Sequence, residues 1–164
     1  MPLKLEVFFD TLSPFSFFAF IVLQRYKKIW DLDIEWRPAL LGAVMAATGN
    51  LPPMARPWSG ATARWSGQDL ARSIRLFNVP MQPIPGNFFG PGGPADPAGL
   101  ARDFRIQRVL TAVKAAHPEK LEAAIDAFFQ LMWTEPRADN RVELTEQVIA
   151  GRLHRAGLTE GEAT

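Results

Sequence analysis

The sequence predicts an α/β fold: a strand–helix–strand unit at the N-terminal end, followed by a helical region. Three observations carry this. Leu3, Leu5, Val7 and Phe9 alternate with Lys4 and Glu6, which is the two-residue period of a strand. Residues 15–30 place apolar side chains at helical spacing, and residues 33–37 alternate again through Ile34 and Trp36 until Pro38 stops the run. Two strands joined by one helix at this spacing form a βαβ unit, so the strands are expected to be parallel.

Taken in order, the first strand covers residues 3–9. Phe8 breaks its alternation and predicts burial on both faces near the strand end, as in a covered parallel sheet. Asp10, Thr11 and Leu12 form a turn, Ser13 stands at the N-cap position and Pro14 at the first helical position. In the helix, Phe15, Phe18, Val22, Tyr26 and Ile29 form a stripe that Phe17, Phe20, Ile21 and Leu23 widen, so most of its circumference is expected to be covered. A short helix at 40–47 closes at Gly49-Asn50, with Pro52-Pro53 preventing continuation. Pro57-Trp58-Ser59-Gly60 reads as a turn, and a helix over 68–77 uses Leu70, Ile74 and Phe77. Residues 79–97 are rich in Pro and Gly without a regular period, a loop long enough to suggest function.

Three more helices are expected. Residues 97–116 carry Leu100, Phe104, Val109, Leu110 and Val113 on one side, and residues 118–133 bury Leu121, Ile125, Phe128 and Met132. The last runs over 145–156, with Gly157 as a left-handed cap and Leu158 making the contact that accompanies it. Thr159 and Glu162 have capping-box spacing and announce another helix where the sequence stops, so the chain reads as cut short. A sheet of only two strands, itself marginal, points the same way.

At 164 residues the chain is expected to be one domain, with residues 1–60 as the βαβ half and 61–164 as the helical part. Apolar residues make up 48% and charged residues 21%, as in ordinary globular proteins. A net charge of +1 with no basic–aromatic run argues against nucleic acid or an anionic membrane as partner. No Cys is present, which removes disulfides and thiolate metal sites. With His117 and His154 alone, zinc sites and His-based triads are not expected, and no metal is assigned. The N-terminus enters strand pattern directly, unlike a secretory signal, and no apolar run reaches the roughly 18–20 residues of a membrane span. A soluble intracellular protein is expected.

The chemistry concentrates at Ser13-Pro14-Phe15-Ser16. An exposed strand-to-helix turn presents unpaired backbone N–H groups, a site for anions including a thiolate. The S-x-x-S pattern stands where thioredoxin-like proteins carry C-x-x-C, whose thiol pKa the helix N-terminus lowers. Hydroxyls there keep the N–H cluster and give up the intrinsic nucleophile. A hydroxyl donor beside that cluster favours the charged form of an incoming thiol and makes the ligand the nucleophile. From the residues alone, Ser13 serves either this purpose or only as a helix cap, while Ser16 bonds backbone in the first turn.

The sequence resembles the kappa-class glutathione transferases, which group with the 2-hydroxychromene-2-carboxylate isomerases in the DsbA-like branch of the thioredoxin superfamily. Residues 8–16 (Phe8-Phe9-Asp10-Thr11-Leu12-Ser13-Pro14-Phe15-Ser16) carry the resemblance, with Arg37-Pro38-Ala39-Leu40-Leu41-Gly42 and Thr48-Gly49-Asn50-Leu51-Pro52-Pro53 in register behind them. Phe77-Asn78-Val79-Pro80-Met81, residues 104–113 and Ala156-Gly157-Leu158 also fit.

The resemblance implies a thioredoxin-like βαβ unit with a helical insertion, and glutathione as substrate or cofactor. It places the catalytic hydrogen-bond donor to the glutathione thiolate at Ser13, a glutathione contact at Asn50, and another at Ser59, where the family carries lysine. It further implies a small electrophile or peroxide as co-substrate, a homodimer, and a location in cytoplasm, mitochondrion or peroxisome. Phe15, Phe17, Phe18, Trp58, Phe88 and Phe89 are the rings available to line an apolar pocket. The family continues into two more strands and a closing helix, which this sequence does not contain. Glutathione-dependent isomerisation of a ring-opened aromatic acid, and a truncated paralogue that is inactive or binds a partner, stand as alternatives.

Overall fold

The computed structural model describes residues 1–50, 61–85, 97–137, 139, 141–159 and 161. Strand β1 (Leu3–Phe9) and strand β2 (Leu32–Pro38) pair in parallel, in a register running from Leu3 opposite Leu32 to Phe9 opposite Pro38. Helix α1 (Pro14–Tyr26) supplies the crossover that a parallel pair requires. Alternation sorts the sheet faces as expected. Val7, Phe9, Ile34 and Trp36 turn towards the core, while Lys4, Glu6, Asp33 and Glu35 are exposed on the other face.

That second face corrects the reading of Phe8. Phe8 on that face is 65% exposed, with the Arg37 guanidinium 5.8 Å from its ring centre. Arg37 also pairs with Glu6 at 2.6 Å, and Lys114 with Glu35 at 2.9 Å, so the face is a charged ladder. The break in alternation marks a cation–aromatic stack rather than double-sided burial.

Helix α1 ends at Tyr26, four residues short of the expected end, because the chain must turn back into β2. The turn uses a left-handed Asp31 (φ 48°), and Trp30 stacks on Tyr26 with ring centres 4.5 Å apart. Ile29 is consequently exposed, as is Trp30 beside it, and the expected stripe is also uncovered at Phe15 and Tyr26. Helix α2 (Leu41–Ala47) follows, then α3 (Ala61–Phe77), which begins earlier than its apolar pattern.

Helices α4 (Pro97–Ala116), α5 (Leu121–Trp133, preceded by a single 3₁₀ turn at Pro118–Lys120) and α6 (Glu146–Arg155) complete the described elements. The core centres on rings from three elements. Phe129 of α5 lies 5.3 Å from both Phe17 and Phe20 of α1 and 6.1 Å from Phe9 of β1. Trp36 closes the group at 5.2 Å from Phe20 and 5.9 Å from Phe9. Helix α5 buries Leu121, Ile125, Phe128 and Met132 as expected, and Phe129 and Trp133 as well. Helix α4 meets expectation at Leu110 and Val113 and departs from it at Phe104, while the Leu100 side chain lies outside the described residues. Its buried arc runs through Ile106, Leu110 and Val113, while Phe104 is half exposed and stacks on Arg108.

Two ion-pair clusters tie the helices down. Glu122, at the start of α5, accepts from Lys27 at 2.6 Å and from Trp36 Nε1 at 2.9 Å. Partial burial works to raise its pKa, yet those hydrogen bonds outweigh it and hold the carboxyl low. Glu135, just after α5, accepts from Arg152 of α6 at 2.6 Å on one oxygen and from Arg155 at 2.8 Å on the other. Helix α6 closes as the sequence indicates, with Gly157 at φ 85°, its N–H donating to His154 O and the Leu158 N–H donating to Leu153 O.

Candidate functional site

At the carboxyl end of β1 the chain leaves the sheet through a four-residue turn tightened by its own polar groups. The Ser13 N–H donates to Asp10 O at 2.9 Å, and the Leu12 N–H to Asp10 Oδ1 at 2.8 Å, an Asx turn. Ser16 Oγ accepts from the Asp10 N–H at 3.3 Å, so this second serine bonds backbone as expected. Ser13 has the extended backbone of an N-cap (φ −90°, ψ 117°), and its Oγ accepts from the Ser16 N–H at 3.2 Å.

These bonds narrow the expected cluster of unpaired N–H groups. Pro14 has none to offer, the Ser16 N–H goes to Ser13 Oγ, and the Phe17 N–H donates to Ser13 O at 3.1 Å. Of the first turn, the Phe15 N–H alone is left without a hydrogen bond among the described residues. Ser13 itself is half-buried rather than fully exposed. Its oxygen is fixed by an incoming N–H while its own proton has no acceptor among the described residues. A hydroxyl that already accepts is polarised to donate, so the arrangement can present one O–H, one N–H and a positive helix end to an anion.

Beneath the turn lies a buried polar layer that the sequence reading did not anticipate. Asp10 is 3% exposed and Thr11 is fully buried. Gln107 of α4 donates through Nε2 to Thr11 Oγ1 at 3.2 Å and to Asp10 Oδ1 at 3.4 Å. The Trp133 indole, at the end of α5, donates to Thr11 O at 2.8 Å. The other Asp10 oxygen accepts from the Leu41 N–H at 2.8 Å, at the start of α2. The available signals were a carboxylate ending an apolar strand and a Gln set among the buried positions of α4.

Asn50 sits where α2 ends. Gly49 is left-handed (φ 66°), its N–H donates to Ala46 O at 3.2 Å, and the Asn50 N–H donates to Met45 O at 2.8 Å. The Asn50 side chain is exposed. These capping bonds are made by the backbone. Ser59, Trp58, Phe88 and Phe89 lie outside the described residues. Of the remaining candidate rings, Phe17 and Phe18 belong to the core, while Phe15 is 48% exposed beside Ser13 and packs edge-on to Phe18 at 5.8 Å. Among the described residues no group of three His, Cys, Asp or Glu is placed to hold a metal ion, and no helix is long and apolar enough to cross a membrane.

Residues 4–164 match the model of the DsbA-like thioredoxin domain family. Glutathione S-transferase kappa 1 of Rattus norvegicus is 32% identical over 163 residues, and its Homo sapiens counterpart 30% over 167. Each alignment takes in 99% of this chain, and the chain spans 66% of the length of either relative. A solved structure of a 2-hydroxychromene-2-carboxylate isomerase superposes with a TM-score of 0.68 at 21% identity. That superposition covers 98% of this chain and 69% of the isomerase, and it shows a shared fold.

Proposed function

The chain belongs to the DsbA-like thioredoxin domain family, and on that footing we propose that it acts as a glutathione transferase of kappa type. In this reading Ser13 holds the glutathione sulfur as a thiolate, which attacks a small electrophile or peroxide. What supports it is one observation: at the α1 N-terminus the Ser13 oxygen is pinned by the Ser16 N–H and its proton remains to be donated. The kappa 1 names of the rat and human relatives point the same way.

The chemistry follows from the thiol's pKa. A free thiol titrates near 8.5, so at neutral pH only a few per cent is nucleophilic. A hydroxyl donor and the helix dipole both favour the anion, and the thiol proton passes to solvent. The sulfur, not the serine, then forms the bond to the electrophile. Asn50 and Ser59 are assigned to hold the rest of glutathione, and the exposed Phe15 ring offers an apolar surface beside the sulfur for the co-substrate. A homodimer within the cell belongs to the same reading.

Thermal unfolding with and without millimolar glutathione tests it. At about ten times Kd a ligand adds roughly 1.4 kcal/mol, which for a chain of this size is a rise of about 3–5 °C. Ser13→Ala serves as the control for the sulfur contact. Absence of any shift removes the enzyme reading for this chain. If binding occurs, turnover of a chlorinated aromatic against that of a ring-opened aromatic acid separates transfer from isomerisation, since one serine serves both.

A further inference from the structure

We infer that Asp10 is a positioning residue that locks the Ser13 turn and the start of α2 into one geometry, so that Ser13 and Asn50 engage the same glutathione. The inference rests on the reading of those two residues given above.

Among the described residues, helix α2 has little else to place it. It spans seven residues, none of its side chains is buried, and Leu40 at its N-cap provides no side-chain hydrogen bond. So short a helix has no stability of its own and relies on tertiary contacts. Two bonds tie its entry to β1: Ala39 N–H to Phe9 O at 2.8 Å, and Leu41 N–H to Asp10 Oδ2 at 2.8 Å. The second puts a carboxylate against a helix N-terminus, where its charge is favoured.

The carboxylate is itself held from two further directions. Oδ1 accepts from the Leu12 N–H, within the Ser13 turn, and from Gln107 Nε2 of α4. Gln107 turns its amide nitrogen to Asp10 at the expense of its own Oε1, which is buried without a hydrogen-bond partner among the described residues. The reverse orientation would set an amide oxygen against the carboxylate. Donors from the turn, α2 and α4 thus converge on one buried side chain, and a shift of α2 relative to Ser13 has to break that convergence.

Asp10→Asn isolates the link. Its remaining oxygen is retained by the two donors at the Oδ1 side, so the new NH₂ faces the Leu41 N–H, donor against donor. The Ser13 cap is untouched. Loss of one charge-assisted bond predicts amide exchange in residues 41–47 about tenfold faster, with α5 amides unchanged. Glutathione Kd should rise by a similar factor, while the pKa of the bound thiol does not rise, since removing the nearby Asp10 charge only favours the thiolate. A residue that merely stabilises the fold would lower the melting temperature without this division between Kd and thiol pKa. Leu41→Pro gives the same deletion from the other side. Proline suits a first helical position, and Leu40 before it is already extended (φ −97°, ψ 91°). Unchanged exchange in α2 in a folded variant, or an unchanged Kd in a chain that binds glutathione, overturns the inference. If the parent chain does not bind glutathione, the functional reading fails, while exchange in the ligand-free protein still decides whether Asp10 fixes α2.

Discussion

Replacing Ser13 by Ala removes one oxygen with two predicted jobs, and the two losses are measurable separately. As a cap, Ser13 Oγ accepts the Ser16 N–H at 3.2 Å, and deleting such a cap costs about 1 kcal/mol. For a chain of this length that lowers the melting temperature by about 2–4 °C. As a donor, the hydroxyl makes a hydrogen bond to a charged sulfur, a class contributing about 1.5–3 kcal/mol. At 1.36 kcal/mol per unit, its loss raises the bound thiol's pKa by about 1–2 units. Ultraviolet thiolate absorbance of the glutathione complex, titrated against pH, reads the second effect directly. Ser13→Asp divides them: its carboxylate still caps Ser16, so stability stays near the parent, but it offers no proton and repels the thiolate. Ser13→Thr retains both. A bound-thiol pKa unchanged by Ser13→Ala refutes the thiolate role and leaves Ser13 a helix cap.

Three further substitutions test the framework. Phe129→Ala removes a ring in contact distance of Phe9, Phe17 and Phe20, and is expected to cost about 3–5 kcal/mol in urea unfolding. Glu135→Gln unclamps α6. The hydrogen bond from Arg152 outweighs burial and, with Arg155, holds the Glu135 carboxyl below its ordinary value. Its contribution is therefore full above the unfolded carboxylate pKa and is lost as pH falls through the folded one. The stability gap between parent and Glu135→Gln, about 1 kcal/mol at neutral pH, should close in acid below about pH 4; a gap independent of pH contradicts the assignment. Gly157→Ala meets no atom within 4 Å, so only the left-handed backbone (φ 85°) opposes it, and the unfolding midpoint should register about 1 kcal/mol.

Much of this architecture is written locally. The two-residue period of residues 3–9 and 33–37 is enough to give two strands, and the helix between them makes the pair parallel, as observed. Ser13-Pro14 gives the start of α1 because capping needs only neighbours within one turn. The left-handed Gly157 with its following Leu158 is equally short-range. Local pattern misleads where an apolar side chain has an alternative to the core. Phe8 and Phe104 each stack on an arginine, and Tyr26 and Trp30 on each other, so none of the four is deeply buried.

The sequence by itself determined the strand–helix–strand frame and the serine at its turn, since hydrophobic period and N-cap chemistry act between residues a few positions apart. Only the tertiary structure decided what lies beneath that serine. Gln107 reaches Asp10 across 97 positions and Trp133 reaches Thr11 across 122, with no periodicity to announce either contact. A buried polar group takes whatever complementary partner folding brings within about 3 Å. That partner is set by how α4 and α5 pack on the sheet, and this is where the support of the Ser13 turn was settled.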